Sequence, residues 1–288
     1  MRFVFPRVLA WEVTRRCPMN CRHCRAVAAD RPFDGELTTA ECKQIIDSLS
    51  SGRSGHPPPM IIWTGGEPML RTDLVDLVRH ATGKGIRNVL APCGLLATEE
   101  RLRALKEAGV QACSFSVDGP DRETHDAFRG VEGAWTAVMV AMAAARRVGL
   151  PFQVNTVVRK GALHTLDALY GKAVDEGATR LDLFFLVPTG RGRQIGAQVA
   201  DDAETKAVID WAKGKRTKLT CCPQAGTCIG GRGFAFLSHV GELQTCGFVQ
   251  TPCGNIRAHG FDFCSLLAAA ENPLGNSSNC QLPTTNRM

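Results

Sequence analysis

The sequence predicts an α/β protein: a partial, TIM-like (β/α)6 barrel followed by a small C-terminal unit that contains a β-hairpin. Two observations carry this. Short apolar, β-rich runs alternate with longer helical patterns six times before residue 200. Such alternation implies parallel strands with helices outside. Right-handed crossovers then curl six strands into part of a barrel, short of the eight that close one. Beyond residue 200 the alternation stops, and cysteines, glycines and a hairpin pattern replace it.

Val8–Thr14 reads as the first strand. Thr38–Ser50 reads as a helix, with Thr38 at the N-cap and Glu41 three residues on, the spacing of a capping box. Arg53–Pro59, with Gly55 and three prolines, is a surface loop. Met60–Thr64 is a strand, Thr72–Gly83 a helix and Asn88–Cys93 a strand. Thr98–Ala108 is a helix with Gly109 where a C-cap would fall. Ala112–Val117, Phe152–Val158 and Arg180–Val187 are strands; Ala134–Val148 and Leu163–Glu176 are the helices between them. Asp201–Lys213 reads as a last helix. Gly233–His239 and Glu242–Phe248 pair around Gly241. The polar tail from Glu271 predicts a disordered end. We therefore expect a barrel core at residues 1–200 and an extension at 201–288.

Thirteen cysteines in 288 residues are too many for ordinary usage and too few for a disulfide scaffold. An odd number cannot pair completely, and a chain of this length buries enough core without staples. No apolar run is long enough to span a bilayer, and the N-terminus has no secretory pattern. The expectation is a cytoplasmic protein whose reduced cysteines bind metal or do chemistry. The net charge of +6 is mild and scattered, with Lys213–Lys218 the densest basic stretch. It calls for neither a nucleic acid nor a membrane partner.

Chemistry concentrates first in Cys17-Pro-Met-Asn-Cys21-Arg-His-Cys24, in the loop after the first strand. Three thiolates suit a cubane iron–sulfur cluster with one iron left open. The same trio also suits a zinc site completed by His23 or a distant cysteine. Thr64-Gly65-Gly66-Glu67-Pro68 ends the second strand, where paired glycines let a ligand approach the backbone and Glu67 offers a carboxylate. Pro92-Cys93-Gly94, Ser116-Val117-Asp118-Gly119, Asn155 and Leu186-Val187-Pro188-Thr189-Gly190 fall at the ends of, or inside, the following strands. Polar and glycine residues at the C-terminal ends of all six strands fit one site at the barrel mouth.

CxxxCxxC, then GGEP, then SVDG, in this order over residues 8–200, resembles the radical S-adenosylmethionine (SAM) enzyme superfamily. The resemblance implies that Cys17, Cys21 and Cys24 hold a [4Fe–4S] cluster whose open iron binds S-adenosylmethionine. It implies that Gly65, Gly66 and Glu67 contact the methionine amine. Ser116, Asp118, Asn155 and Arg129 then serve the carboxylate or ribose, and the Leu186–Gly190 backbone, with Pro188, the adenine. Reductive cleavage would yield a 5′-deoxyadenosyl radical for hydrogen abstraction, the electron coming from reduced ferredoxin or flavodoxin. Where relatives often have Thr-Asn-Gly, this chain has Pro92-Cys93-Gly94, so no ribose role passes to Cys93.

The Cys228–Gly247 segment resembles the auxiliary-cluster extensions of this superfamily, the SPASM and twitch types. A cysteine precedes the hairpin and Cys246-Gly247 follows it. Cys222, Cys228, Cys246 and Cys264 are the expected auxiliary ligands, with Cys221 and Cys253 as alternatives. Cys42 and Cys113 read as packing residues. The tail carries only Cys280, which implies one auxiliary cluster. The Phe185–Gly192 and Cys228–Gly254 stretches look most like the tetrapyrrole-modifying members, which act in haem-type cofactor synthesis. A peptide-modifying maturase and a non-catalytic metal-binding scaffold are the alternatives.

Overall fold

The protein is described from a computed structural model, and the structure describes residues 3–50, 54–221 and 228–271. Six parallel strands follow one another in chain order: β1 (Val8–Thr14), β2 (Met60–Gly65), β3 (Asn88–Leu90), β4 (Val110–Ser116), β5 (Phe152–Val158) and β6 (Leu181–Phe185). Between them run α1 (Thr39–Leu49), α2 (Leu74–Gly83), α3 (Glu99–Ala108), α4 (Arg122–Arg129), α5 (Ala134–Arg147) and α6 (Leu163–Asp175). α7 (Asp202–Ala212) follows β6. The sheet is open, as expected of a partial (β/α)6 barrel.

Local chemistry sets these boundaries. The expected capping box opens α1: Thr38 N–H donates to Glu41 Oε2 (2.7 Å) and Glu41 N–H to Thr38 Oγ1 (3.3 Å). α3 ends at Gly109, whose φ of 117° only glycine adopts cheaply. β3 stops at Leu90 rather than reaching Cys93, because Pro92 lacks a ladder donor. The burial pattern of β5 alternates. Phe152, Val154 and Val158 pack under the helices, while Asn155 and Val157 line the barrel interior.

Three strands or α-helices exceed the sequence reading; one of them, the helix Phe263–Ala269, lies beyond Asp201–Lys213, the last helix expected. α4 was not foreseen; it is a single short, charged helix whose buried face is His125, Phe128 and Arg129. Asp121 caps it by accepting from Thr124 N–H (2.8 Å), and Gly130 ends it. β7 (Thr217–Thr220) arises from the end of the basic stretch and pairs parallel with β6, Leu183 opposite Leu219.

The expected hairpin is present but shorter: β8 (Phe234–Leu237) and β9 (Leu243–Gln244), antiparallel, with Gly241 in the turn at φ 86°. β8 also lies parallel to β1, Val8 opposite Phe234. One nine-stranded sheet results, in the order β7-β6-β5-β4-β3-β2-β1-β8-β9. α8 (Phe263–Ala269) closes the described chain; Phe263 is fully buried, and its N–H donates to Ser48 Oγ of α1 (3.0 Å). Among the described residues no helix is long and apolar enough to cross a membrane.

Candidate active site

The C-terminal ends of β1 to β6 surround a cavity of about 290 Å³. Its wall includes Cys17, Cys21 and Cys24 from the loop after β1, Gly65 at the end of β2 and Gly66 just beyond it. Ser116 at the end of β4, Asp118 beyond it, Arg129 of α4 and Asn155 of β5 also line it. Glu67, Pro188 and Gly190 do not line it. Glu67 is fully buried and accepts the N–H groups of Met69 (2.8 Å) and Cys93 (2.5 Å). Burial raises its carboxyl above the usual range, and those hydrogen bonds only partly offset this.

The glycines are there for close approach. A Cβ on Gly65 would sit 2.1 Å from the Thr14 carbonyl oxygen, and one on Gly66 2.3 Å from that of Arg16. Gly66 N–H donates to Thr14 O and Glu67 N–H to Arg16 O, each at 2.8 Å. The GGE turn thus grips the two residues that launch the cysteine loop. That loop returns when Cys17 N–H donates to Ala29 O (3.0 Å).

Behind the cysteines lies a buried charge pair. Arg129 Nε donates to Asp118 Oδ2 (2.8 Å), and Val157 N–H donates to Oδ1 (2.8 Å). Burial would raise the Asp118 carboxyl, but Arg129, with His23 and His125, outweighs burial and holds it low. Arg129 also reaches Cys21 Sγ at 3.7 Å. His23 stacks on Phe128 (4.7 Å between centroids); burial pushes its pKa down to about 4, so the imidazole is neutral at pH 7.

The sequence reading left Cys93 without a task, and the structure gives it one. It lines the cavity beside Cys17, and the interaction of the two thiols lowers Cys17 while raising Cys93. No sequence spacing reveals that contact; only the cavity brings the two together. Cys21, by contrast, is raised by burial.

Among the auxiliary candidates, Cys246 is raised by burial, and Cys228 lies near enough to add to the shift. Cys253, also raised by burial, lies near enough to Cys246 for that residue to add to its shift. Its N–H donates to Leu243 O of β9 (2.8 Å), which brings it beside the hairpin. Cys264 is on α8, with Sγ 4.0 Å from the Ser54 carbonyl oxygen in the segment leading into β2. Cys222 and Cys280 lie outside the described residues.

Arg25 joins the two cysteine groups. Its Nη2 donates to Glu12 Oε2 (2.8 Å) and its Nη1 to Gly247 O (3.3 Å), beside Cys246. Its guanidinium lies 4.5 Å from the centre of the Phe236 ring. Glu12 is fully buried on β1; desolvation opposes its charge, but Arg25, His239 and Arg15 outweigh it and hold the carboxyl at about 2.

The donor set fits a [4Fe–4S] cluster. Three thiols border one cavity, one of them held low and another beside a guanidinium. Among the described residues no three His, Cys, Asp or Glu side chains converge as a cage for a single ion.

Residues 11–163 match the Radical SAM superfamily, and the chain belongs to it. Its members are enzymes that use a [4Fe–4S] cluster and S-adenosylmethionine. The chain is similar to the AdoMet-dependent heme synthase of Oleidesulfovibrio alaskensis, at 40% identity over 283 residues, 87% of this chain and 72% of the relative. The AdoMet-dependent heme synthase of Nitratidesulfovibrio vulgaris is 38% identical, over 87% of this chain and 76% of its own. The fold is also that of Streptococcus suis SuiB bound to precursor peptide SuiA: TM-score 0.69 at 14% identity, covering 94% of this chain and 66% of that one.

Proposed function

We propose that this chain modifies the side chains of a tetrapyrrole in the synthesis of a haem-type cofactor, by hydrogen abstraction dependent on S-adenosylmethionine. The observation that carries this is the extent of the likeness to the heme synthases. At 87% of the chain it exceeds what residues 1–200 alone could supply, so it reaches beyond the barrel core.

Cys17, Cys21 and Cys24 would hold the cluster, which when bound supplies the electron for cleaving S-adenosylmethionine. Gly65 and Gly66 leave backbone open to the methionine end. Ser116 and Asn155 present polar groups to its carboxylate or ribose, and Asp118 acts by orienting Arg129. Glu67 shapes the turn and fixes Cys93. The Leu186–Val187 part of the expected backbone stretch, which lines the cavity, borders the adenine side. Cys228 and Cys246, with Cys253, would hold one auxiliary cluster in the extension after residue 200. The electron donor is reduced ferredoxin or flavodoxin, in the cytoplasm.

The open side of the sheet suits a large substrate. A peptide is the second reading, favoured by the shared fold with SuiB bound to its precursor peptide. Anaerobic reconstitution with iron and sulfide counting, followed by incubation with a coproporphyrin-type tetrapyrrole or a candidate peptide, tests both. The expected result is 5′-deoxyadenosine with a mass change on the tetrapyrrole. A mass change on the peptide alone overturns the substrate. Stoichiometric zinc with no cleavage of S-adenosylmethionine overturns the enzyme.

A further inference from the structure

The cysteine loop has little structure of its own. Apart from the Cys17 N–H to Ala29 O bond that closes it (3.0 Å), its internal backbone bonds run from Cys24 N–H to Cys21 O (3.2 Å) and from Val27 N–H to Cys24 O (3.4 Å). Asn20 and Val27 both carry positive φ, at 46° and 52°, a conformation side chains rarely choose. Something outside the loop must hold it.

The segment after β6 does so. Arg191 N–H donates to Cys24 O (3.0 Å). Its side chain then spans the loop: Nε donates to Cys21 O (2.8 Å) and Nη1 to Ala28 O (2.8 Å). Gly190 permits this approach. At φ 55°, a Cβ there would lie 2.2 Å from Arg25 O and 2.6 Å from Cys24 O. One residue therefore fixes carbonyls before, at and after the third cysteine. Arginine suits the task because its planar fork presents several donors in fixed directions. A lysine offers one flexible point and cannot reach both side-chain acceptors at once.

We propose that Arg191 is a positioning residue that holds the cluster loop in its ligating shape, so that cluster retention depends on a side chain 167 residues from Cys24. The retention part rests on the reading of Cys17, Cys21 and Cys24 as cluster ligands; the loop-holding part does not.

The test compares wild type, Arg191→Met and Arg191→Lys in two measurements. Hydrogen–deuterium exchange on the apoprotein should show peptides covering residues 17–28 exchanging at least tenfold faster in R191M, with β4 and β5 unchanged. R191K should fall between the two. Iron release to a chelator from anaerobically reconstituted protein should accelerate at least tenfold in R191M, with partial rescue in R191K. Unchanged exchange over residues 17–28, or an equal rise across the whole sheet, overturns the proposal. Localised exchange with unchanged iron release overturns its retention part. A wild type that takes up no iron overturns the ligand assignment instead, and the exchange measurement still decides the role of Arg191.

Discussion

Gly66→Ala tests the reasoning about the site most directly. The added Cβ would meet Arg16 O at 2.3 Å, and Cβ contacts below 3.0 Å are essentially never seen, so the carbonyl must retreat by at least 0.7 Å. That same oxygen accepts Glu67 N–H at 2.8 Å, and a retreat along the bond would stretch it to the edge of hydrogen-bonding range, about 3.5 Å. Overpacking costs about 1–3 kcal/mol and the lost hydrogen bond about 1 kcal/mol. Together they cost about 2–4 kcal/mol, which lowers Tm by roughly 5–15 °C at this chain size. Because Arg16 precedes Cys17, cluster uptake should fall as well. Thermal unfolding of the apoprotein and iron counting after reconstitution are the assays. Gly83→Ala is the control: a Cβ there meets nothing within 4 Å, and Tm should hold or rise slightly. A G66A protein with wild-type Tm and full iron content would refute the close-approach argument.

Glu12 supplies a pH prediction. Its carboxyl is held at about 2 against an ordinary 4.5, so its stabilisation is complete above pH 4.5 and is lost as the pH falls toward 2. That is roughly 3 kcal/mol; Glu12→Gln should lower stability at neutral pH and flatten the acid-unfolding curve over that interval. Asp118→Asn leaves Arg129 buried without its counter-charge and should cost about 3–5 kcal/mol, read as a lower Tm with weaker calorimetric binding of S-adenosylmethionine. A D118N protein of wild-type Tm would deny the pair its structural weight. Cys253→Ala should remove the iron increment beyond the first cluster, whereas Cys264→Ala should leave iron content unchanged; the reverse pattern would restore Cys264 as a ligand.

Much of the barrel was legible because its signals are local. Thr38 and Glu41 announce α1 by spacing alone, Gly109 ends α3 through its own conformational freedom, and the alternation within β5 separates Val154 from Asn155. α4 escaped because only Ala127 and Phe128 among its eight residues are apolar, so no hydrophobic stripe marks it. β7 escaped because Lys218 interrupts a four-residue strand whose reason to form is Leu183 on its neighbour. At the site, order along the chain identified the rim but not its contacts. Cys17 and Cys93 are far apart in sequence, and nothing local pairs them. Cys253 and Cys264 look alike in spacing; the backbone bond from Cys253 to Leu243 is what separates them. Arg191 looked like one scattered charge among many until its acceptors were seen.

A barrel that stops at six βα units leaves two raw edges, and raw edges invite other chains to add strands. Here each edge is blunted. Beyond β1, the sheet continues through β8 to the two residues of β9, whose outer side is already engaged: Leu243 N–H donates to Gly254 O (2.9 Å) and Leu243 O accepts from Cys253. The opposite edge, β7, is four residues long and carries the exposed Lys218. The hairpin that carries Cys246 therefore has a second duty. It finishes a sheet that would otherwise present the length of β1 as a template for aggregation, so the barrel can stay open toward substrate while β1 is covered.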